Sequence, residues 1–203
     1  MTGAAIRSRL ITLRRDREAA LLGRDLLDGK REAILRELVE RVRVRNCVRD
    51  EVKQAYAAAQ DALDEARIEL GSCAIDSAAL AQPVGASVER SPGSLVGVPL
   101  ARLRARVAPF RPSYGPGGTA ASLDGAGAEF AALIPSLMSL AQEDEAVRNL
   151  EAGLRKTVRR LKALENVVIP RLEREAREVA GALEEEERDE SLRRKRWLAT
   201  LGK

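Results

Sequence analysis

The sequence predicts an all-α protein built on a long antiparallel two-helix coiled coil, with a small irregular or β-hairpin insert at the far end. Three observations lead to this fold class. Apolar residues recur in a seven-residue pattern in the N- and C-terminal thirds, and glycine and proline accumulate between them. In addition, 33% of the 203 residues are charged and only 2% are aromatic, which leaves few large apolar side chains for a compact core.

The first predicted element is a helix over residues 1–70, one half of the coiled coil. Its apolar residues are spaced alternately by four and three, as expected of a helix that buries a narrow stripe, and no proline interrupts it. The predicted seam residues are Leu13, Ala20, Leu27, Ile34 and Leu38. Arginines occupy further positions of the same stripe, where the aliphatic stem covers apolar surface and the guanidinium reaches water; they are Arg17, Arg24, Arg31, Arg41 and Arg45.

Residues 71–127 form the predicted insert. The helical pattern stops at Gly71, and stretches such as SPGS, GVP and YGPGG follow. Residues 94–100 and 102–107 have β-branched or alternating character, which predicts one small hairpin rather than a sheet domain.

The second long helix is predicted over residues 128–203. Pro135 fits only in a first turn or at a kink. Steps of four and four in the apolar pattern predict a local stutter, and Pro170 deprives the Asn166 carbonyl of its helical donor, which predicts a mild bend. The seam residues predicted here are Leu161, Leu164, Val168, Leu172, Ala176, Val179 and Leu183.

The two seams bury each other most simply if the chain folds back into an antiparallel pair about 90–100 Å long. They align when paired positions sum to about 203, which places Leu38 near Leu164 or Glu165. Exposed ion pairs stabilise by only ~0–1 kcal/mol each, so the apolar seam provides the stability and charge selects the register. This register sets the acidic run at 184–187 against Arg14, Arg15 and Arg17.

Several function classes lack their usual residues. There is no histidine, no GxxxxGK[ST] loop and no nucleophile beside a base, so we expect no catalytic residue and no cofactor. Cys47 and Cys73 lie far apart, which argues against a metal site and favours a reducing compartment. The 35 cationic and 31 anionic side chains are interspersed, which argues against nucleic-acid binding, and no apolar run reaches the ~20 residues of a membrane span.

Two segments of the predicted helices carry distinctive motifs: residues 23–32 read GRDLLDGKRE, and residues 155–175 read RKTVRRLKALENVVIPRLERE. Both resemble the D subunit family of the V-type and A-type rotary ATPases. The acidic-then-basic segment 184–196 and the short motifs Gly97-Val98-Pro99 and Tyr114-Gly115 are also similar, in the family's order. The sequence departs from the family pattern at Arg24, where a histidine is usual, in lacking an early proline, and in its Gly/Pro-rich insert.

The resemblance implies a central rotor shaft that transmits torque and has no catalytic site of its own. The implied partners are the catalytic A and non-catalytic B subunits around the terminal tip, the F subunit on the coiled coil, and a funnel-like C/d-type subunit at the insert end. The implied location is cytoplasmic, peripheral to the membrane within a membrane-bound ATPase. That complex moves protons or sodium ions, and ATP turns over in the A/B hexamer.

Cations concentrate near the two chain termini, which lie at one tip of the predicted coiled coil. As a hypothesis, they meet acidic or polar residues of the hexamer bearing. A solvated helix end is the simpler interpretation of these cations, and Trp197 fits packing on the first helix as well as a partner contact. The predicted bearing contacts are Arg7, Arg9, Arg14, Arg15, Arg193, Arg194, Lys195, Arg196 and Trp197.

Two other functions compete with the rotor. The heptad pattern alone fits a coiled-coil scaffold or adaptor unrelated to ATPases equally well. The pI of about 9.4 and the arginine clusters suggest a helical nucleic-acid-binding protein, but the acidic residues interleave too densely for a basic stripe. Only the order of the motifs separates the rotor from the scaffold.

Overall fold

A computed structural model describes residues 3–83, 85–115, 117 and 119–201, with side chains from residue 5 to 198 within these ranges. Long helices account for most of the chain and a small hairpin lies between them, which confirms the predicted fold class. The elements are α1 (Gly3–Leu70), α2 (Ser72–Ala81), β1 (Ala86–Ser91), β2 (Ser94–Leu95), β3 (Val98–Pro99), β4 (Arg102–Val107), α3 (Ala121–Ala163), a π-helix (Leu164–Val168) and α4 (Ile169–Leu201).

The chain divides into two compact units. The first, which we call the end unit, comprises residues 1–32 and 154–203. The second, the hairpin unit, comprises residues 33–153. Helices α1 and α3 each contribute residues to both units.

In the end unit, the beginning of α1 pairs antiparallel with α4. Arg7 Nη2 lies 2.8 Å from Glu187 Oε1, and Arg17 Nη2 lies 2.8 Å from Glu173 Oε1. These pairs sum to 194 and 190, so the predicted sum of about 203 is wrong. For Arg17 the predicted partner is position 186, thirteen residues beyond Glu173.

The register error has a physical reason. At Arg17 the slip is thirteen residues, close to two heptads, and a slip of whole heptads returns the apolar residues to the same face of the helix, so the repeat cannot distinguish one register from another. The choice then depends on exposed ion pairs, which are too weak to make it. Leu164, predicted beside Leu38, lies instead 3.9 Å from the position of a Cβ built on Gly23.

The π-helix separates α3 from α4. The Ile169 N–H donates to the Leu164 carbonyl, five residues back, so one more residue is enclosed than in an α-turn. Pro170 follows at once; it has no N–H, and its ring would crowd the carbonyl four residues back in a regular helix. The wider turn accommodates the proline, and it lies within one of the stretches of four-and-four spacing, Leu164 to Leu172; the stutter was predicted without a position.

In the hairpin unit, α1 ends at Leu70 because Gly71 adopts a φ of 77°, and α2 follows directly. Helix α2 was not predicted, although residues 72–81 contain neither glycine nor proline. A small core joins α1, α2 and the start of α3. Its buried members are Ala66, Ile75, Ala78 and Leu123, and Leu63, Leu70 and Tyr114 pack against them.

The strands pair differently from the prediction. β4 pairs antiparallel with β1, from Ala86 opposite Val107 to Ser91 opposite Arg102. Residues 94–100 do not pair with β4; they form the hairpin tip, in which β2 pairs with β3. The chain reverses at Val96 and Gly97, whose φ angles of 49° and 75° suit a tight two-residue turn.

Helix α3 begins at Ala121, seven residues before the expected start near residue 128. Gly125 and Gly127 made this segment resemble the insert, yet both lie within the helix. Pro135 is therefore inside α3 rather than in its first turn.

Candidate functional site

The predicted bearing contacts, eight cations and one tryptophan, are exposed side chains of the end unit. Two form ion pairs with acidic residues of α4: Arg7 with Glu187 at 2.8 Å and Arg194 with Glu190 at 2.6 Å. Arg196 and Trp197 also interact with other described residues. The exposed members are Arg7, Arg9, Arg14, Arg15, Arg193, Arg194, Lys195, Arg196 and Trp197. Their assignment as bearing contacts stays a prediction.

Large apolar side chains accompany these cations on the last turns of α4. Trp197 is 66% exposed, and Leu192 and Leu198, which were not among the predicted contacts, are 52% and 64% exposed. Large side chains of this kind are typical of surfaces that another protein covers.

Every predicted seam residue is buried or half-buried. Leu13, Ile34, Leu161 and Leu172 are buried. Their half-buried companions are Ala20, Leu27, Leu38, Leu164, Val168, Ala176, Val179 and Leu183.

The two longest family-like motifs meet in the end unit. Gly23 lies beside the Leu164 side chain, because a Cβ built on this glycine would be 3.9 Å from Leu164 Cδ1. The neighbouring Arg24 donates from Nε and Nη2 to Asp25 Oδ1 at 2.9 and 2.6 Å. This hydrogen bond and the Asp25 charge raise the pKa of Arg24, and the Glu165 carboxylate adds to the effect. The motif around residue 24 therefore faces the π-helix.

The hairpin packs on α3 through one buried side chain. Val98 is 3% exposed and occupies the space above Gly153, where a Cβ would lie 2.6 Å from Val98 Cγ2. A second glycine of α3 has the same role, because a Cβ on Gly127 would overlap the ring of Phe110. We call these two positions the glycine notches. Neither glycine was predicted to receive a side chain.

Polar contacts complete this attachment. Asn149 Nδ2 donates to the Pro99 carbonyl at 3.1 Å, and the Leu103 N–H donates to Gln142 Oε1 at 2.9 Å. Arg90 of β1 also forms an ion pair with Glu145. Each contact joins one strand or the tip to α3, so together they define one position of the hairpin on this helix.

A buried carboxylate joins α1 to α3 in the same unit. Arg41 Nη1 lies 3.0 and 3.1 Å from the two oxygens of Glu143, whose side chain is 8% exposed. Arg41 Nε donates to Glu37 at 2.8 Å, and Gln142 Nε2 donates to Glu143 at 3.3 Å. The hydrogen bond that Arg41 donates to Glu37, and then the one it donates to Glu143, raise its pKa against the effect of burial.

This network adds to the expectation for Arg41, because its guanidinium pairs with two carboxylates while its side chain stays one-third exposed. It also involves Glu143 and Gln142, which sequence reasoning missed. The sequence did contain a signal for this contact. An arginine at a seam position needs an acidic partner on the facing helix, and Glu143 is the first residue of the acidic run EDE in α3.

An apolar groove of about 550 Å³ lies at the base of the hairpin. Both phenylalanines of the chain, Phe110 and Phe130, line it together with Val107, Pro109 and Ile134. We call it the phenylalanine groove. In a chain with 2% aromatic residues, both phenylalanines therefore lie at one apolar recess.

The described residues contain neither a cluster of metal ligands nor a helix that could span a membrane. Within 3–83, 85–115, 117 and 119–201, no group of three or more histidine, cysteine, aspartate or glutamate residues is placed to hold a metal ion, and Cys47 and Cys73 are free and exposed. None of the described helices is both long and apolar enough to cross a bilayer.

Comparison with known proteins identifies the family. The model of the family described as the D subunit of ATP synthase matches residues 9–199. An A-type ATP synthase D subunit of Methanosphaera stadtmanae is 31% identical, covering 90% of this chain and 87% of its own length. A V-type ATP synthase D subunit of Thermotoga neapolitana is 30% identical and covers 97% of both chains.

The A-type ATP synthase D subunit of Methanopyrus kandleri is similar at 29% identity, over 94% of this chain and 83% of its own. The family match includes the two motifs that meet at Gly23 and Leu164, the hairpin and the glycine notches. The chain therefore belongs to the ATP synthase D subunit family.

Proposed function

We propose that this chain is the central-stalk subunit, the rotor axle, of a rotary V/A-type ATPase. It transmits torque between the A/B catalytic hexamer and the membrane ring that translocates protons or sodium ions. The observation that carries the proposal is the family match over residues 9–199, with the full order of motifs along the chain.

The end unit has the character that a bearing requires. Its helix ends pair with each other through exposed ion pairs such as Arg7 with Glu187, and its outer surface carries dispersed charge. A charged, largely solvated surface can contact a surrounding sleeve without adhering strongly at one angle, because exposed ion pairs are individually weak. Trp197 and Leu198 supply a small apolar contact at the same end.

The partners follow from the same assignment. The A and B subunits surround the end unit, the F subunit binds on the coiled coil, and a funnel-like C/d-type subunit receives the insert. The phenylalanine groove is the feature that best suits the last contact, since Phe110 and Phe130 line an open apolar recess that a partner side chain can fill. The chain is then a cytoplasmic protein, held at the membrane by these partners.

The chain is proposed to be non-catalytic. Two of its buried contacts, the ion pair of Arg41 with Glu143 and the packing of Val98 on Gly153, join α1 and the hairpin to α3. ATP synthesis or hydrolysis belongs to the hexamer.

Reconstitution tests the proposal. The A, B and F subunits are assembled with and without this chain, and ATP turnover and complex size are followed. We expect a complete complex and sustained turnover only when the chain is present. Equal assembly and turnover without it contradict the proposal and favour a scaffold unrelated to ATPases.

A charge variant tests the end unit within that assay. Neutralising the four cations 193–196 to glutamine should weaken assembly with the A and B subunits. The matched control neutralises four exposed arginines of the hairpin unit, outside the surface assigned to the A and B subunits, and should bind A and B normally: Arg36, Arg43, Arg49 and Arg67. An equal loss in both variants would show that only net charge matters.

A further inference from the structure

Strand β4 carries a row of arginines on one face. Along Arg102–Val107, exposed and half-buried residues alternate strictly, and the exposed residues are Arg102, Arg104 and Arg106. Because successive side chains of a strand point to opposite sides, these three guanidiniums share one face of the hairpin. The intervening residues face the other way and are half-buried. We call the exposed row the arginine face.

The arginine face has an excess of positive charge. The residues opposite it on β1 are Ser91, Glu89 and Ser87, so one carboxylate faces three guanidiniums. Glu89 Oε1 lies 2.8 Å from Arg106 Nη2. Among the described residues, Arg102 and Arg104 form no side-chain ion pair, which leaves two guanidiniums with their hydrogen-bonding groups open to solvent.

The face is also held in place before any partner arrives. The tip is anchored by Val98 above Gly153, and the strand is tied to α3 where Leu103 donates to Gln142 at 2.9 Å. A second strand is tied by the ion pair of Arg90 with Glu145. A preformed surface loses little conformational freedom on binding, which favours association.

The spacing specifies the chemistry of the partner. Alternate residues of a strand are about 6.6 Å apart, so the row matches carboxylates at every second residue of an extended chain. Arginine presents a planar fork that binds carboxylates through two parallel hydrogen bonds. A regular row of three favours an ordered protein segment over a diffuse lipid surface.

We propose that the arginine face is a docking surface for an extended, carboxylate-rich segment of another protein. This inference does not depend on the proposed function. It predicts selectivity for the spacing of the carboxylates as well as for their number.

Fluorescence anisotropy with two labelled peptides tests the inference on the full chain at low salt. One peptide alternates glutamate with threonine, and the other has the same composition with the glutamates in a block. We expect the alternating peptide to bind more tightly. Neutralisation of the row in the variant R102Q/R104Q/R106Q should weaken its binding by about tenfold, as expected for three exposed ion pairs.

Two further variants separate charge from geometry. R36Q/R43Q/R159Q makes the same change in net charge on helix surfaces and should bind the alternating peptide as the wild type does. R102K/R104K/R106K keeps the charge but removes the planar fork, so it should bind with intermediate affinity. Circular dichroism and the thermal midpoint confirm that each variant is folded.

The inference is overturned by any of three results. The two peptides bind equally, the helix-surface control loses as much affinity as the row variant, or neither peptide binds at all. Binding to vesicles of phosphatidylglycerol that the row variant abolishes, without peptide binding, would assign the face to a membrane instead and also overturn it.

Discussion

The end unit and the hairpin unit hold their helices in different ways. In the end unit, repeated apolar residues and exposed ion pairs such as Arg17 with Glu173 join α1 to α4. In the hairpin unit, the contacts are single and do not repeat: the buried Glu143 with Arg41, and Val98 above Gly153.

Repeated apolar contacts and single buried contacts do not determine register equally well. A repeated seam specifies the face of each helix, but it is satisfied again after every heptad. A buried carboxylate or a notch for one side chain is satisfied in one alignment only, because any slip leaves a charge unpaired or a side chain in conflict. Substitutions in the hairpin unit should therefore have larger effects than substitutions in the end unit.

The largest effect is expected when Arg41 is replaced. Arg41→Ala leaves the Glu143 carboxylate buried without its guanidinium, which should destabilise the fold by about 2–4 kcal/mol. This is less than for a fully buried pair, because solvent reaches the one-third-exposed Arg41 side chain and weakens the interaction. Urea unfolding measures the change. Arg43→Ala, an exposed arginine on the same helix, should change stability by less than about 0.5 kcal/mol. Equal effects of the two variants would show that the network does not hold α1 to α3.

Replacing both partners refines this result. In Arg41→Leu with Glu143→Leu the buried Glu143 charge is removed together with its partner, and only the part-exposed Glu37 loses an ion pair, so the double variant should be more stable than Arg41→Ala. If the buried pair specifies the alignment of the helices, cross-linking across α1 and α3 should become heterogeneous in the double variant even where stability recovers. A single cross-linking pattern in this variant would assign register to other residues.

The glycine notch comes next. Gly153→Ala places a methyl group 2.6 Å from Val98 Cγ2, and the resulting crowding should cost about 1–3 kcal/mol, offset by up to ~1 kcal/mol of better helix propensity. Hydrogen exchange of the strands should accelerate more than that of α4. The second change Val98→Ala should restore slow exchange in the strands.

Gly181→Ala is the matched control for the notch. Gly181 lies in α4, and a Cβ there meets nothing within 4 Å, so this change should stabilise the helix by up to ~1 kcal/mol. If both alanine variants raised stability, the close approach of Val98 to Gly153 would have no energetic consequence.

A titration examines the core of the hairpin unit. Burial, and then the hydrogen bond that its hydroxyl donates to Asp124, raise the pKa of Tyr114 to about 12. The unfolded value is about 10, so the stability from this group is complete below pH ~10 and is lost as the pH rises towards 12. Absorbance at alkaline pH should show a late-titrating tyrosine that disappears in Tyr114→Phe. Asp124→Asn should lower the pKa without restoring its ordinary value, since burial is the larger cause.

The smallest effect on stability is expected in the end unit. Arg17→Ala or Glu173→Ala should cost only ~0–1 kcal/mol, and less at high salt, because both side chains are more than one-third exposed. Cross-linking tests the alignment directly in a chain whose two native cysteines are replaced by serine. A short bismaleimide should join cysteines placed at Arg17 and Glu173, but not at Arg17 and Glu186. The opposite result would restore the register predicted from the sequence.

These contrasts explain how far sequence reasoning could go. The long helices, the break at Gly71 and the irregularity near Pro170 follow from heptads, a left-handed glycine and a missing N–H, all of which are local. The alignment of Arg17 with Glu173 could not follow, because the repeat allows several alignments. Helix α2 was hidden by the glycines and prolines around it.

Some features of the candidate site were likewise predictable from local sequence, and others were not. Exposure of the terminal cations was predictable, since charged residues at helix ends are seldom covered by their own chain. The roles of Gly153 and Glu143 were not, because each depends on a side chain remote in sequence, Val98 or Arg41. A glycine within a helix shows that something lies close by, but it does not show what.

The π-helix also bears on how relatives of this chain differ in length. Its loop from Leu164 to Ile169 already encloses one residue more than an α-turn, so the helical phase is adjusted within this short stretch. A relative that lacks one residue here can still present its later apolar residues on the same side. Elsewhere in α4, a one-residue gap would rotate everything beyond it by about 100°, so single-residue insertions and deletions among relatives should concentrate at the π-helix.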